Sequence, residues 1–281
     1  MSIQFERYTY VSRFLDPRQG FNEVAIPSEV RRDPLTGDVA RVIPGRSFSL
    51  PAGLISPLPS EVEDRSRETC PFCPERIADV TPRFLPELIP EGRVQEGTAT
   101  VLPNIGPYDL HTALTVMTDE HALPMARVHE AVPDAFKASL HFFDRLRAYD
   151  PGGASYQTIA WNYRYQAGGS MLHPHLQLVA GSVPSSMLDR MVTGSAAYLA
   201  RHGSSYWDDL LATERAEGSR WVSAFGPIHV LATYAPKIHC DVMFVFEGCT
   251  TFGDISAEHI DGLTRAVHLV ASYYDRQHYP A

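Results

Sequence analysis

The chain has 281 residues, 44% of them hydrophobic and 20% charged, a composition that excludes a disordered chain and allows a sizeable buried core. Its 24 Lys+Arg stand against 33 Asp+Glu for a formal net charge of −9, which speaks against nucleic-acid binding, since such proteins carry a basic field or stripe. No apolar run approaches the ~20 residues that span a bilayer, and the opening MSIQFERYTY lacks a signal-peptide core, so a cytoplasmic protein with no membrane partner is expected.

Residues 1–60 read as short extended pieces broken by turns at Asp16-Pro17, Asp33-Pro34, Thr36-Gly37-Asp38 and Pro44-Gly45. Residues 57–97, rich in proline and charge, read as an irregular, surface-leaning stretch that holds Cys70 and Cys73. Strand-like runs follow at 98–102 and 112–118. From 132 to 149 the residues Val132, Phe136, Leu140, Phe143 and Leu146 recur every three or four positions, which predicts a helix that Pro151-Gly152-Gly153 stops. A strand at 155–162 leads through Ala167-Gly168-Gly169-Ser170 into another at 175–180. Helical patterns return at 184–201 and 207–217, strands at 220–247, and a last helix at 256–276. The expected class is α+β, antiparallel strands with helices packed on them.

The stretch from Asn162 to Gln177 is the most informative. Gly168-Gly169-Ser170 lets backbone approach a phosphate and offer N–H donors. His173 and His175, at i and i+2, share one face of an extended strand, and Gln177 continues that face. Pro174 between the histidines suits a strand start or edge. Read without context, His-x-His is most simply a pair of core histidines.

Cys70-x-x-Cys73 has metal-ligand spacing but no second Cys-x-x-Cys, so any further ligands come from elsewhere; His111, His121, His129, His173 and His175 are candidates that spacing does not separate. A redox dithiol is the rival, and it usually opens a helix in a βαβ context. A Pro-rich loop before a strand favours metal. Cys240 and Cys249 read as buried spectators.

Several segments, in order, make the sequence resemble the galactose-1-phosphate uridylyltransferase branch of the histidine-triad superfamily. They are Arg32-Asp33-Pro34-Leu35-Thr36-Gly37 with the later Arg46, Cys70-Pro71-Phe72-Cys73, Val101-Leu102-Pro103-Asn104, Thr118-Asp119-Glu120-His121, and Asn162 through Gln177 with its His-Pro-His-x-Gln. The resemblance implies a histidine-triad-like antiparallel sheet flanked by helices, in two unequal pseudo-repeat halves, 1–183 with the site and 184–281 completing the sheet and acceptor side. It implies a structural zinc held by Cys70, Cys73, His121 and His173, a closed set with no open position for activated water.

His175 is then the nucleophile, carrying a nucleoside monophosphate (UMP favoured) from a nucleotide sugar to a phosphorylated acceptor, with its other ring nitrogen donating to a backbone carbonyl. Gln177 stands where the superfamily's hydrolases have a third histidine. A sugar phosphate leaves as a stable anion and needs no general acid, so a neutral amide that donates to phosphoryl oxygens points to transfer rather than hydrolysis. Arg46, Asn104, Asn162, Gly168, Gly169 and Ser170 are the expected substrate contacts. The family's acidic residue after the Asn is Ile105 here. A homodimer is implied. The alternatives are an ADP-sugar or dinucleoside-polyphosphate phosphorylase using inorganic phosphate, and a non-catalytic zinc-stabilised binding protein.

Overall fold

The computed structural model describes residues 3–45, 60–164 and 167–277; Arg46 lies outside them. The architecture is α+β, with three antiparallel sheets flanked by helices. The described chain forms two compact units.

One unit contains β1 (Arg7–Asp16), β2 (Asn22–Arg32) and β3 (Val39–Val42) in one sheet, helices α4 (Ser186–His202) and α5 (Tyr206–Glu217), and β9 (Trp221–Phe225), β10 (Ile228–Ala232) and β11 (Val242–Phe246) in a second sheet, with only Phe225 of β9 assigned to the other unit. The chain passes between units near 184 and again around 225–228 and 247–248, so this unit joins the N-terminal segment to residues 185–224 and 228–247. The turns at Asp16-Pro17 and 33–38 stand where proline and glycine put them. The strands of the first hairpin are longer than the short pieces expected: β1 and β2 pair continuously from Arg7↔Arg31 to Asp16↔Asn22.

The other unit is built on the sheet β4-β5-β6-β8-β7, comprising β4 (Val94–Glu96), β5 (Ala99–Pro103), β6 (His111–Val116), β7 (Tyr156–Ala160) and β8 (His175–Gly181). Helix α3 (Val132–Tyr149) covers one face; its Val132, Ala135, Ser139, Phe142, Phe143 and Leu146 are buried. Alternation along β8 decides which side chains meet it. Leu176, Leu178 and Ala180 join the core with Ala135, Phe142 and Phe143, so His175, Gln177 and Val179 project from the opposite face. On β6, Ala113 enters the same core and Thr115 Oγ1 bonds Ser139 Oγ of α3 at 2.8 Å. Leu114 and Val116 turn the other way and pack with Cys70, Phe72 and Cys73. The sheet thus separates a dry helix-packed side from a side bearing histidines, cysteines and an amide. The last helix, α6 (Ala257–Arg276), is closed at its start by a capping box between Ser256 and His259.

Residues 57–97 depart from expectation. Two helices stand there, α1 (Ser60–Thr69) and α2 (Pro74–Val80). α1 reads SEVEDRSRET and buries none of its residues, so no apolar period marks it. α2 has Pro74 in its first turn, where proline's missing N–H goes unneeded. Cys70 and Cys73 are not surface-leaning; each is 1% exposed. Cys240 and Cys249, expected to be buried, are only half-buried.

Candidate active site

Cys73 is the residue that caps α2, and β6 runs into the loop carrying His121 while β8 is entered through His173. These elements bring Cys70, Cys73, His121 and His173 together, all buried, with their ligand atoms within 4.8 Å of one another. Because the cysteine pair opens a helix after all, its place in the chain does not discriminate a metal site from a redox dithiol. The two converging imidazoles do.

The donor set fits a tetrahedral ion closely. Metal–sulfur bonds of about 2.3 Å and metal–nitrogen bonds of about 2.0–2.1 Å at tetrahedral angles put sulfur and nitrogen about 3.6 Å apart. Cys70 Sγ lies 3.6 Å from His173 Nδ1, and Cys73 Sγ lies 3.4 Å from His121 Nδ1 and 3.8 Å from His173 Nδ1. His173 Nε2 donates to the Thr118 carbonyl at 2.7 Å, so its Nδ1 presents a lone pair to the cluster, the outer-shell arrangement typical of metal-bound histidine. Burial and the neighbouring Cys70 push the Cys73 thiol up to about 11, and burial pulls His173 down to about 4. Neutral imidazole is the ligand form, and a divalent cation would offset the penalty on the thiolates. A buried Cys2His2 cluster able to hold a metal ion is therefore present.

His175 is 6% exposed, and its Nδ1 donates to the His173 carbonyl at 2.9 Å. That bond fixes the tautomer and leaves Nε2 as the nitrogen with a free lone pair. Burial also lowers its proton affinity, favouring neutral imidazole. The Phe72 ring lies 5.5 Å from the His175 ring and edge-on to His173 at 6.0 Å, tying the cysteine loop to the histidine strand. His175 and Gln177 line a cavity of about 310 Å³ together with Phe72, Asn104, Ile105 and Ser170, within the ~300–1,000 Å³ typical of small-molecule sites. Val80, Thr81 and Pro82 at the end of α2 close another wall; nothing in the sequence marked them, because α2 itself was not legible.

The other expected contacts divide. Asn104 bounds the cavity, with its Oδ1 accepting from the Gly106 amide at 3.0 Å. Asn162 is exposed and not among the cavity-lining residues. Gly168 adopts φ +86°, the left-handed region that favours glycine. Gly169 does not offer its amide to a phosphate: it donates to the Arg164 carbonyl at 2.9 Å. Its small size is what the turn needs, since a Cβ there would lie 2.7 Å from Arg164 O and 2.8 Å from Asn162 O. Gly169→Ala is therefore expected to lower stability by about 1–3 kcal/mol, read as a drop in thermal midpoint; an unchanged midpoint would show that the turn opens freely. Of the five candidate histidines, two serve elsewhere: His111 Nε2 pairs with Asp150 Oδ2 at 2.8 Å, and His129 faces His268.

No family model matches the chain. A solved ADP-glucose phosphorylase from Arabidopsis thaliana with bound ADP-glucose superposes with a TM-score of 0.64 at 15% identity, covering 89% of this chain and 78% of that one. A solved uridylyltransferase structure superposes with a TM-score of 0.54 at 19% identity, covering 85% of this chain and 73% of that one. The chain has their fold. An uncharacterized protein of Archaeoglobus fulgidus is 29% identical over 258 residues, 89% of this chain and 72% of the relative. Among the described residues no helix of this uridylyltransferase-like fold is long and apolar enough to cross a membrane.

Proposed function

We propose that the protein transfers a nucleoside monophosphate between a nucleotide sugar and a phosphate-bearing acceptor through a covalent nucleotidyl-His175. The observation that carries this reading is the Nδ1–H bond from His175 to the His173 carbonyl, which makes Nε2 the free nucleophile at a ligand-sized cavity. Nε2 attacks the α-phosphorus. The N–P bond forms as the bond to the sugar phosphate breaks, and the leaving group departs as an anion with no proton required. A phosphate oxygen of the acceptor then attacks the same phosphorus, the N–P bond breaks, and neutral His175 is restored. Gln177, two residues along the same face, donates to the non-bridging oxygens where charge gathers. The Cys70–Cys73–His121–His173 cluster holds zinc in this reading. A zinc with four protein ligands has a structural role, stiffening the strand start from which His175 projects.

The donor base distinguishes two readings. UMP is the family's cargo, whereas the fold likeness to an ADP-glucose phosphorylase and Ile105 in place of an acidic residue favour an ADP-sugar phosphorylase with inorganic phosphate as acceptor. Intact-protein mass after mixing with UDP-, ADP-, GDP-, CDP- and TDP-sugars, quenched above neutral pH, reads the base directly. Chasing the adduct with inorganic phosphate or a sugar phosphate reads the acceptor. No adduct with any donor would overturn covalent transfer.

A homodimer belongs to the same proposal. Tyr8, Tyr10, Val11, Phe14, Leu15 and Phe21 of the β1–β2 hairpin are 43–66% exposed. Beyond the reach of β3, which pairs only with Glu29–Arg32, the hairpin is a two-stranded ribbon, and such a ribbon with both faces apolar and wet is marginal by itself. Sedimentation is expected to give twice the 31.2 kDa chain mass, and Tyr10→Asp with Val11→Asp to give a monomer. A wild-type monomer would refute this.

A further inference from the structure

Gln177 has an acceptor end and a donor end, and only the donor end suits a phosphoryl oxygen. A side-chain amide rotates between two nearly equivalent orientations unless something holds it. Tyr108, in the loop between β5 and β6, places its hydroxyl 2.7 Å from Gln177 Oε1 and donates to it. The loop is set by its own contacts, with Asn104 N bonded to the Thr112 carbonyl and Asn104 Oδ1 taking the Gly106 amide. Among the described residues no acceptor pairs with Gln177 Nε2. Tyr108 is 61% exposed; partial desolvation of its hydroxyl and the adjacent Asp109 raise the phenol's proton affinity, so at neutral pH it remains a donor.

We infer that Tyr108 is a positioning residue: by occupying the Gln177 carbonyl oxygen, its hydroxyl turns the amide NH2 toward the phosphoryl group that His175 attacks. This rests on the transfer reading above. Without the hydroxyl the amide samples the flipped state, which sets its oxygen against an anionic one and disfavours the transition state. Tyr108 touches neither the nucleophile nor the phosphorus in this account and acts only through Gln177.

The test is single-turnover nucleotidylation, followed by intact mass in wild type, Tyr108→Phe, Gln177→Ala and the double variant. Donor affinity is measured separately by calorimetry in the unreactive His175→Ala background with and without Tyr108→Phe. Tyr108→Phe is expected to slow nucleotidylation about tenfold, Gln177→Ala about a hundredfold, and the double variant no more than Gln177→Ala alone. Donor affinity should stay within about twofold, a split that a merely structural lesion would not give. Wild-type rate in Tyr108→Phe, or losses that multiply in the double variant, would overturn the Tyr108 role while leaving covalent transfer standing. A wild-type protein that acquires no nucleotide would overturn transfer itself, and Tyr108's role with it.

Discussion

His175→Ala is expected to acquire no nucleotide from any donor and to lose at least about 10⁴-fold in turnover, as removal of a covalent nucleophile does elsewhere. The imidazole is held by one bond from Nδ1 to the His173 carbonyl, at 6% exposure. Among the described residues, no other side chain lining the cavity is a nucleophile at neutral pH: the others are Pro71, Phe72, Val80, Thr81, Pro82, Leu102, Pro103, Asn104, Ile105, Leu114, Ser170, Met171 and Gln177. Thr81 and Ser170 carry hydroxyls, but an unassisted hydroxyl is a poor nucleophile. The fold should survive. Alanine removes a ring and one hydrogen bond worth about 0.5–1.5 kcal/mol net, and it leaves Cys70, Cys73, His121 and His173 untouched. Circular dichroism and metal content should therefore match wild type. Normal turnover in this variant would refute the mechanism outright.

The second large effect is expected at Cys73. Cys73→Ser keeps the size and the cap position at the start of α2 but replaces a soft thiolate with a hydroxyl that does not ionise near neutral pH. Cys73 Sγ lies 3.4 Å from His121 Nδ1, and His121 Nε2 is buried with no hydrogen-bond partner among the described residues. Once the metal left, only packing, including the edge-on contact with the His173 ring, would orient the His121 imidazole. Metal content by plasma emission should fall from about one equivalent per chain to near zero. Because structural metal binding is coupled to folding, a loss of about 3–5 kcal/mol is expected, or about 10 °C or more in thermal midpoint for a chain of this size. Nucleotidylation should fall too, since His175 stands two residues from a ligand and takes its orientation from the His173 carbonyl. Full metal retention in Cys73→Ser would refute the ligand assignment.

Much of this molecule was legible as pattern. The stripe of Val132, Phe136, Leu140, Phe143 and Leu146 marked α3, because one face of that helix is dry and the other wet; Val132, Phe143 and Leu146 are buried, and Phe136 and Leu140 are half-buried. The period of two put His173, His175 and Gln177 on one face, and the structure shows why that face is free: Leu176, Leu178 and Ala180 take the other into the core. Proline and glycine placed the first turns, since their restrictions are local. Helix α1 was not legible, because a charged and polar helix whose one apolar residue is Val62 has no apolar stripe to betray it. Helix α2 was hidden in a proline-rich stretch whose proline in fact begins it.

What tertiary structure alone decided is which distant groups meet. His121 and His173, rather than His111 or His129, face the cysteines because the β6 and β8 termini end beside the start of α2. The Gly169 amide, expected to face phosphate, bonds Arg164 instead, and Tyr108 reaches Gln177 across 69 residues of sequence. Spacing encodes local geometry, since φ/ψ preferences and side-chain periodicity act over a few residues. Partner choice among separated side chains depends on how whole elements pack, and that information is spread over the core rather than carried by the residues that meet.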